Sequence, residues 1–249
     1  FENGNFVGTV QKYIENDETT ESNNDIVTSL ASSHWSKKID KIFNEYVYED
    51  LTSKRIDLTQ NDIEIYTIDP EGCIDNDDAI HISQHDKQWE IGIHIADVSS
   101  FFPIKSACDI ELSKRCETFY GQKIMHMIPE SIVKDAIALV SDGKNKRAFS
   151  VILLLNESFD IMDIQFVKTL IKITKNISYN EAEILKHTNK NIKNIYEIGK
   201  AIKTKYFLGS FDPEEPYDSH QMIAVYMLLA NFKVAEKISK YDKNNVLLR

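Results

Sequence analysis

Asp69, Asp75, Asp77 and Asp78 crowd into the run Thr67-Ile68-Asp69-Pro70-Glu71-Gly72-Cys73-Ile74-Asp75-Asn76-Asp77-Asp78-Ala79-Ile80. Carboxylates packed this closely repel one another unless a cation or shared protons sit between them. Oxygen donors suit hard cations, and Mg²⁺ is usually held by one or two carboxylates together with substrate phosphates, so the run points to a phosphate-handling metal site. Phosphodiester hydrolysis needs a water made nucleophilic and charge neutralised on the attacking and leaving oxygens, both of which metal ions among carboxylates provide. Gly72 gives the backbone freedom to fold the following side chains around a cation. Asp77 and Asp78 would point to opposite faces of an extended strand, so a shared site requires the chain to bend there. The plain alternative is a solvated acidic turn. An EF-hand fits poorly: counting from Asp69 or Asp75, no Gly falls at the sixth position and no Glu at the twelfth.

Other chemistries find less support. His34, His81, His85, His94, His126, His187 and His220 show no zinc-type spacing. His94 and Asp97 read as hydrogen-bonded structural residues rather than ligands. Cys73, Cys108 and Cys116 are odd in number and form no Cys-x-x-Cys pair, which disfavours a disulfide framework and a cysteine-rich zinc site and implies a reducing, intracellular setting. No Gly-rich phosphate loop appears among the eight glycines. The net charge of -10 argues against a surface that attracts nucleic acid all over, while leaving room for a local basic groove. No apolar run is long enough to span a bilayer and no signal segment opens the chain, so neither a membrane partner nor export is expected, and a cytoplasmic location is favoured.

The elements that must position the aspartates follow from periodicity. With 249 residues and 42% hydrophobic content the chain can bury a sizeable core. Phe6 to Ile14 alternates as a strand, Asn16 to Asn24 reads as a polar loop, and Ile39, Ile42, Phe43 and Tyr46 recur at helical spacing up to Asp50. Asp57 to Ile68 is expected to lead as a strand into the acidic run. Trp89, Ile91, Ile93 and Ile95 alternate as a strand ending at Asp97. Short helices are expected at Asp109 to Thr118 and Pro129 to Leu139. Ala148 to Leu155 reads as an apolar strand paired with Ile161 to Ile173 across a polar turn. Ser178 and Glu181 form a capping pair at the head of a helix. Ile192, Ile195, Ile198 and Ile202 mark an amphipathic helix with a solvated basic face, and a long helix starts near Asp218.

Several of these segments resemble one known family. Arg55-Ile56-Asp57-Leu58-Thr59, the acidic run, and Gly92-Ile93-His94-Ile95-Ala96-Asp97-Val98-Ser99 are similar to the RNB catalytic domain of ribonuclease II and ribonuclease R. Arg115 to Tyr120, His126-Met127-Ile128-Pro129-Glu130, Lys146-Arg147-Ala148-Phe149-Ser150-Val151 and Met227-Leu228-Leu229-Ala230-Asn231 extend the match in the family's order. The resemblance implies an α/β (α+β) fold with a mixed sheet and surrounding helices. It also implies a hydrolytic 3′-to-5′ exoribonuclease that requires Mg²⁺, threads single-stranded RNA through a narrow channel and releases nucleoside 5′-monophosphates. Carried over residue by residue, it makes Asp69, Asp75, Asp77 and Asp78 catalytic and metal-binding, and Tyr120 and Tyr179 RNA-binding. Aromatic rings grip successive bases without reading sequence, as a processive nuclease requires.

The resemblance also divides the chain, with 1–54 as the tail of a cold-shock-like (OB) region and its connector and 55–249 as an RNB domain whose C-terminal part, with the family's catalytic arginine, lies beyond Arg249. One departure stands out. Ala224 and Val225 occupy positions where the family usually carries a glutamate pair that grips the terminal nucleotide. The expected function is therefore a Mg²⁺-dependent exoribonuclease, acting alone or in an exosome-like or degradosome-like assembly. The rival from another class is an RNB-like RNA-binding or assembly subunit without catalysis. A third reading, a calcium-stabilised structural domain, is expected to show no RNA affinity.

Overall fold

The computed structural model describes residues 41, 54–60, 62–115, 118–120, 124–207, 211–212 and 215–242. The strand at Phe6 to Ile14, the loop at Asn16 to Asn24, the helix ending at Asp50 and the cold-shock-like tail lie outside the described residues, apart from residues 41 and 54.

The frame is a seven-stranded mixed sheet. Its strands are β1 (Ile56–Asp57), β2 (Ile65–Asp69), β3 (Asp78–His85), β4 (Gln88–Ala96), β7 (Lys146–Leu155), β8 (Ile161–Ile171) and β9 (Lys175–Ser178), in the spatial order β1-β8-β7-β4-β3-β2-β9. The neighbours from β8 through β2 pair antiparallel, while β1 joins β8 and β9 joins β2 in parallel. A separate hairpin is formed by β5 (Phe119–Tyr120) and β6 (Ile124–Met125). The helices are α1 (Ala107–Arg115), the single turn α2 (Glu130–Ile132), which continues as a π-type segment Val133–Ile137, α3 (Tyr179–Leu185), α4 (Lys190–Tyr206) and α5 (Ser219–Tyr241).

Alternation along the strands sends side chains into two separate cores. Tyr66, Ile68, Ile80, Ile82, Ile91, Ile93, Val151 and Leu153 face α3, α4 and α5, whose Ile192, Ile195, Ile198, Ile202, Met222 and Tyr226 close over them. Ile65, Ala79, Ala96, Ala148 and Ile171 have the opposite parity and pack against Phe101, Phe102, α1 and the α2 segment. The amphipathic reading of α4 is thus met at every isoleucine named above. Of its lysines, Lys190, Lys193, Lys200 and Lys205 are exposed, while Lys203 is half-buried and donates to Gln221 Oε1.

One expected strand is interrupted. In and around the stretch from Asp57 to Ile68, strand is formed among the described residues only at Ile56–Asp57, after which Leu58 N–H still donates to the Leu170 carbonyl at 2.9 Å, and again at Ile65–Asp69. The cause is local: Asp57 Oδ1 accepts hydrogen bonds from the Thr59 amide (2.9 Å) and hydroxyl (2.7 Å), an Asx-turn that diverts the backbone from the ladder. The expected strands at Trp89 to Ile95, Ala148 to Leu155 and Ile161 to Ile173 and the expected helices among the described residues lie where the periodicity placed them, within a few residues at their ends, whereas β3, β9 and the β5–β6 hairpin lie outside those expectations.

The second face of the sheet carries a buried polar relay. His81 Nδ1 meets His94 Nε2 at 2.7 Å, His94 Nδ1 meets the Ser150 hydroxyl at 2.6 Å, and that hydroxyl meets Thr169 Oγ1 at 2.7 Å. Burial, then the His81 ring beside it, pushes the His94 pKa well below its ordinary value, so the ring is held neutral. Asp97, just past β4, is engaged at 2.5 Å by Arg55 from the start of β1, and Arg55 also donates to the carbonyls of Ala148 and Thr169. Both residues therefore do the structural work expected of them.

Candidate metal centre

The acidic run is the connection between β2 and β3. Asp69 is the last residue of β2, Asp78 the first of β3, and Asp77 precedes it outside the ladder. This supplies the bend that a shared site requires. A turn closed by Cys73 N–H to the Pro70 carbonyl (3.2 Å) reverses the chain, with Gly72 at φ +78°, where a side chain would be strained. Two backbone bonds hold the loop from outside: Ala96 N–H donates to the Asp77 carbonyl and Leu139 N–H to the Asn76 carbonyl, both at 2.8 Å. The α2 segment ends at Ile137, so the brace comes from Leu139, two residues past that element.

The result is a compact carboxylate group. Asp69, Asp77 and Asp78 each offer an oxygen, and these oxygens lie within 4.8 Å of one another. Carboxylate oxygens gathered this way are the donors a hard cation takes from protein side chains, so the residues present fit one. Asp75 does not join this group; its carboxylate accepts from Cys73 Sγ at 3.4 Å. It is near enough, however, to help raise the pKa values of Asp69 and Asp77.

Electrostatics shows what the group lacks. Burial, followed by the charges of Asp77 and Asp69, pushes the Asp78 carboxyl up to about 7. Burial is also the largest cause for Asp69 and Asp77, with neighbouring carboxylates adding to it. Asp77 is exposed by surface area, yet the protein atoms around it and the adjoining charges still raise its pKa. Cys73 in the same loop rises to about 11, through burial first and then the aspartate charges, so its thiol stays protonated. An all-oxygen set of three carboxylates that resist ionising together has the donor chemistry of a site for a divalent cation.

Asn76 is a site residue that periodicity and charge did not single out. It is 4% exposed, and its amide donates to Asp69 Oδ2 at 2.6 Å, fixing that carboxylate and opposing the rise in its pKa. An amide set between aspartates was the available signal.

Tyr179 is brought to the same place by the parallel pairing of β2 with β9, whose register sets Asp69 opposite Ser178. Ser178 caps α3, its hydroxyl accepting from the Glu181 amide at 3.1 Å, so the helix starts beside the acidic loop with Tyr179 as its first residue. Burial raises the Tyr179 hydroxyl to about 12, and the charges of Asp69, Asp78 and Asp77 contribute. Its ring stacks on His220 of α5, with centroids 3.8 Å apart and planes at 24°. Tyr120 lies in the separate β5–β6 hairpin, opposite Ile124. Val225 is wholly buried in the core and Ala224 is half-buried, on the α5 face one turn beyond His220.

Comparison with known proteins decides the family. Residues 55–249 match the RNB domain. The chain belongs to the RNB domain family. Among curated relatives, this RNB chain is 30% identical over 216 residues to the human exosome complex exonuclease RRP44, covering 74% of the chain and 22% of that protein. It is 28% identical over 247 residues to the inactive exonuclease DIS3L2 of Arabidopsis thaliana, covering 82% of the chain and 23% of that protein. The chain thus spans under a quarter of the length of these two relatives. Mycoplasma genitalium RNase R, solved in complex with ribose-methylated single-stranded RNA, shares the fold at a TM-score of 0.73 and 18% identity, covering 84% of the chain and 37% of that structure. The α/β RNB fold inferred from the motifs is therefore the fold of this chain. No helix among the described residues is long and apolar enough to cross a membrane.

Proposed function

We propose that this RNB chain carries the metal-binding part of a Mg²⁺-dependent hydrolytic 3′-to-5′ exoribonuclease that shortens single-stranded RNA and releases nucleoside 5′-monophosphates. The observation that carries the reading is the convergence of Asp69, Asp77 and Asp78 within 4.8 Å, in an environment that disfavours three bare charges. These three residues would hold the ion, with Asp75 adding negative charge at its side. A bound Mg²⁺ would supply an activated water and neutralise charge on the attacking and leaving oxygens. Asn76 orients the Asp69 carboxylate. Tyr179, set beside the cluster, contacts the nucleotide at the scissile end, and Tyr120 helps hold the terminal nucleotides. Residues 55–249 belong to the RNB domain, and 1–54 are the tail of a cold-shock-like region and its connector. The name of the human relative supports assembly with an exosome-like complex, and the free Cys73 and Cys108 suit a reducing, cytoplasmic setting.

The test uses the complete gene product and a labelled linear single-stranded RNA. With Mg²⁺ the strand shortens from its 3′ end and 5′-monophosphates accumulate, EDTA stops the reaction, and a circular RNA of the same sequence survives. Endonucleolytic fragments from the circle would overturn the reading.

A second reading has its own support: Ala224 and Val225 depart from the family pattern, and the Arabidopsis relative is named inactive. Tight binding of the same RNA without release of monophosphates would favour a catalytically inactive RNB-like RNA-binding or assembly subunit.

A further inference from the structure

We propose that His220 is a base-stacking residue for the 3′-terminal nucleotide, the outer surface of a two-ring platform of which Tyr179 is the inner layer. The inference rests on the RNA-processing reading above and names a contact within it.

Tyr179 is half-buried and packs against the main core, so its ring is fixed from behind. His220 covers it at a 3.8 Å centroid separation. A base approaching that face of Tyr179 therefore meets the His220 ring first. The His220 side chain is 63% exposed. An exposed ring held in one orientation loses rotamer freedom, and two restraints offset that loss here. One is the stack itself; the other is Asp218 Oδ2, 3.5 Å from His220 Nδ1. Asp218 is itself fixed, because its other carboxylate oxygen caps α5 by accepting from the Gln221 amide at 2.9 Å.

The backbone under the platform is equally constrained. Ser219 Oγ donates to the Tyr179 carbonyl at 3.0 Å and Ser219 N–H to Glu183 Oε1 at 2.6 Å, locking the head of α5 onto α3. The platform stands next to the reacting end because Ser178 is the ladder partner of Asp69. A flat, pre-oriented aromatic surface open to solvent beside a candidate metal centre fits a nucleobase. Stacking tolerates every base because every base has a π-face, which suits an activity without sequence preference.

The test measures equilibrium binding in the complete gene product carrying Asp77→Asn, so that the strand stays intact during the measurement. Two single-stranded RNAs are compared, identical except that the last nucleotide of one lacks its base. The parent binds the intact strand more tightly, and His220→Ala removes that advantage, weakening intact-strand binding by about five- to a hundredfold while leaving the strand without the base unaffected. His220→Phe, which keeps a flat ring, retains most of the affinity. With Asp77 restored, His220→Ala raises KM by more than it lowers kcat.

Equal binding by parent and His220→Ala overturns the proposal. So does an equal loss on both strands, or a His220→Phe variant as weak as His220→Ala. Failure of the exonuclease reading shows separately, as absence of monophosphate release by the parent, while dependence of binding on the terminal base remains measurable.

Discussion

Asn76 and Asp77 separate two ways of disabling one carboxylate group. Asp77→Asn removes a candidate ligand charge while keeping size and polarity. Cleavage is expected to fall by about a hundredfold or more, the scale of losing a contact that stabilises reaction charge, while RNA affinity changes much less. A gel assay of shortening beside fluorescence anisotropy of binding checks this, and equal losses in both would contradict it. Asn76 acts one step back. Asn76→Leu keeps the branched outline of the side chain, at a larger size, but deletes the 2.6 Å bond to Asp69, so the carboxylate loses its orienting donor. Divalent affinity, titrated with Mn²⁺ by electron paramagnetic resonance, is expected to drop about tenfold to a hundredfold, as for other groups that orient metal ligands. Unchanged Mn²⁺ affinity would show that Asp69 needs no such support.

At the scale of elements, the sheet fixes the loop, and one glycine fixes the sheet's second face. Gly92 on β4 stands opposite His81 on β3. A methyl group there would lie 2.2 Å from His81 Cε1 and 2.3 Å from its Nδ1, and 2.9 Å from His94 Nε2. The imidazoles cannot withdraw without breaking the relay to Ser150. Gly92→Ala is therefore expected to destabilise the protein by about 1–3 kcal/mol, the usual cost of overpacking, visible as a lower midpoint in urea unfolding. A midpoint equal to the parent's would mean that the rings move freely. The strand pattern of Trp89 to Ile95 was legible because alternate burial repeats every second residue. The glycine's role was not, because the histidine it accommodates belongs to another strand.

For the whole molecule, metal and pH are linked through the carboxylate group. The Asp78 carboxyl rises in the folded protein to about 7 from its ordinary 3.8, so folding favours its protonated form. That stabilisation is present at low pH and is lost as pH climbs through about 7. Asp69 and Asp77 shift the same way. His94 works oppositely: its pKa is lowered by folding, so its contribution is intact above about 6.5 and is lost as pH falls. Comparing Tm with and without metal at one pH cancels the histidine effect. Mg²⁺ is expected to raise Tm more at pH 8 than at pH 5.5, because at the lower pH it must displace protons from the carboxylates. A gain independent of pH, measured by calorimetry against an EDTA-treated sample, would contradict this linkage.

The strands at β4, β7 and β8, the helices and the identity of the acidic run came from the sequence alone, because periodicity and like-charge crowding are local properties that each segment carries with it, whereas β3, β9 and the β5–β6 hairpin emerged only in the folded chain. Tertiary structure decided which carboxylates converge. Asp69, Asp77 and Asp78 meet through the β2–β3 turn, and Asp75 falls outside their group despite standing between them in the chain. It also set Tyr179 beside Asp69 through β9, forty-odd residues from His220, which the head of α5 then lays upon it. Such meetings depend on strand register and helix docking between distant segments. No local pattern of residue types encodes those distances.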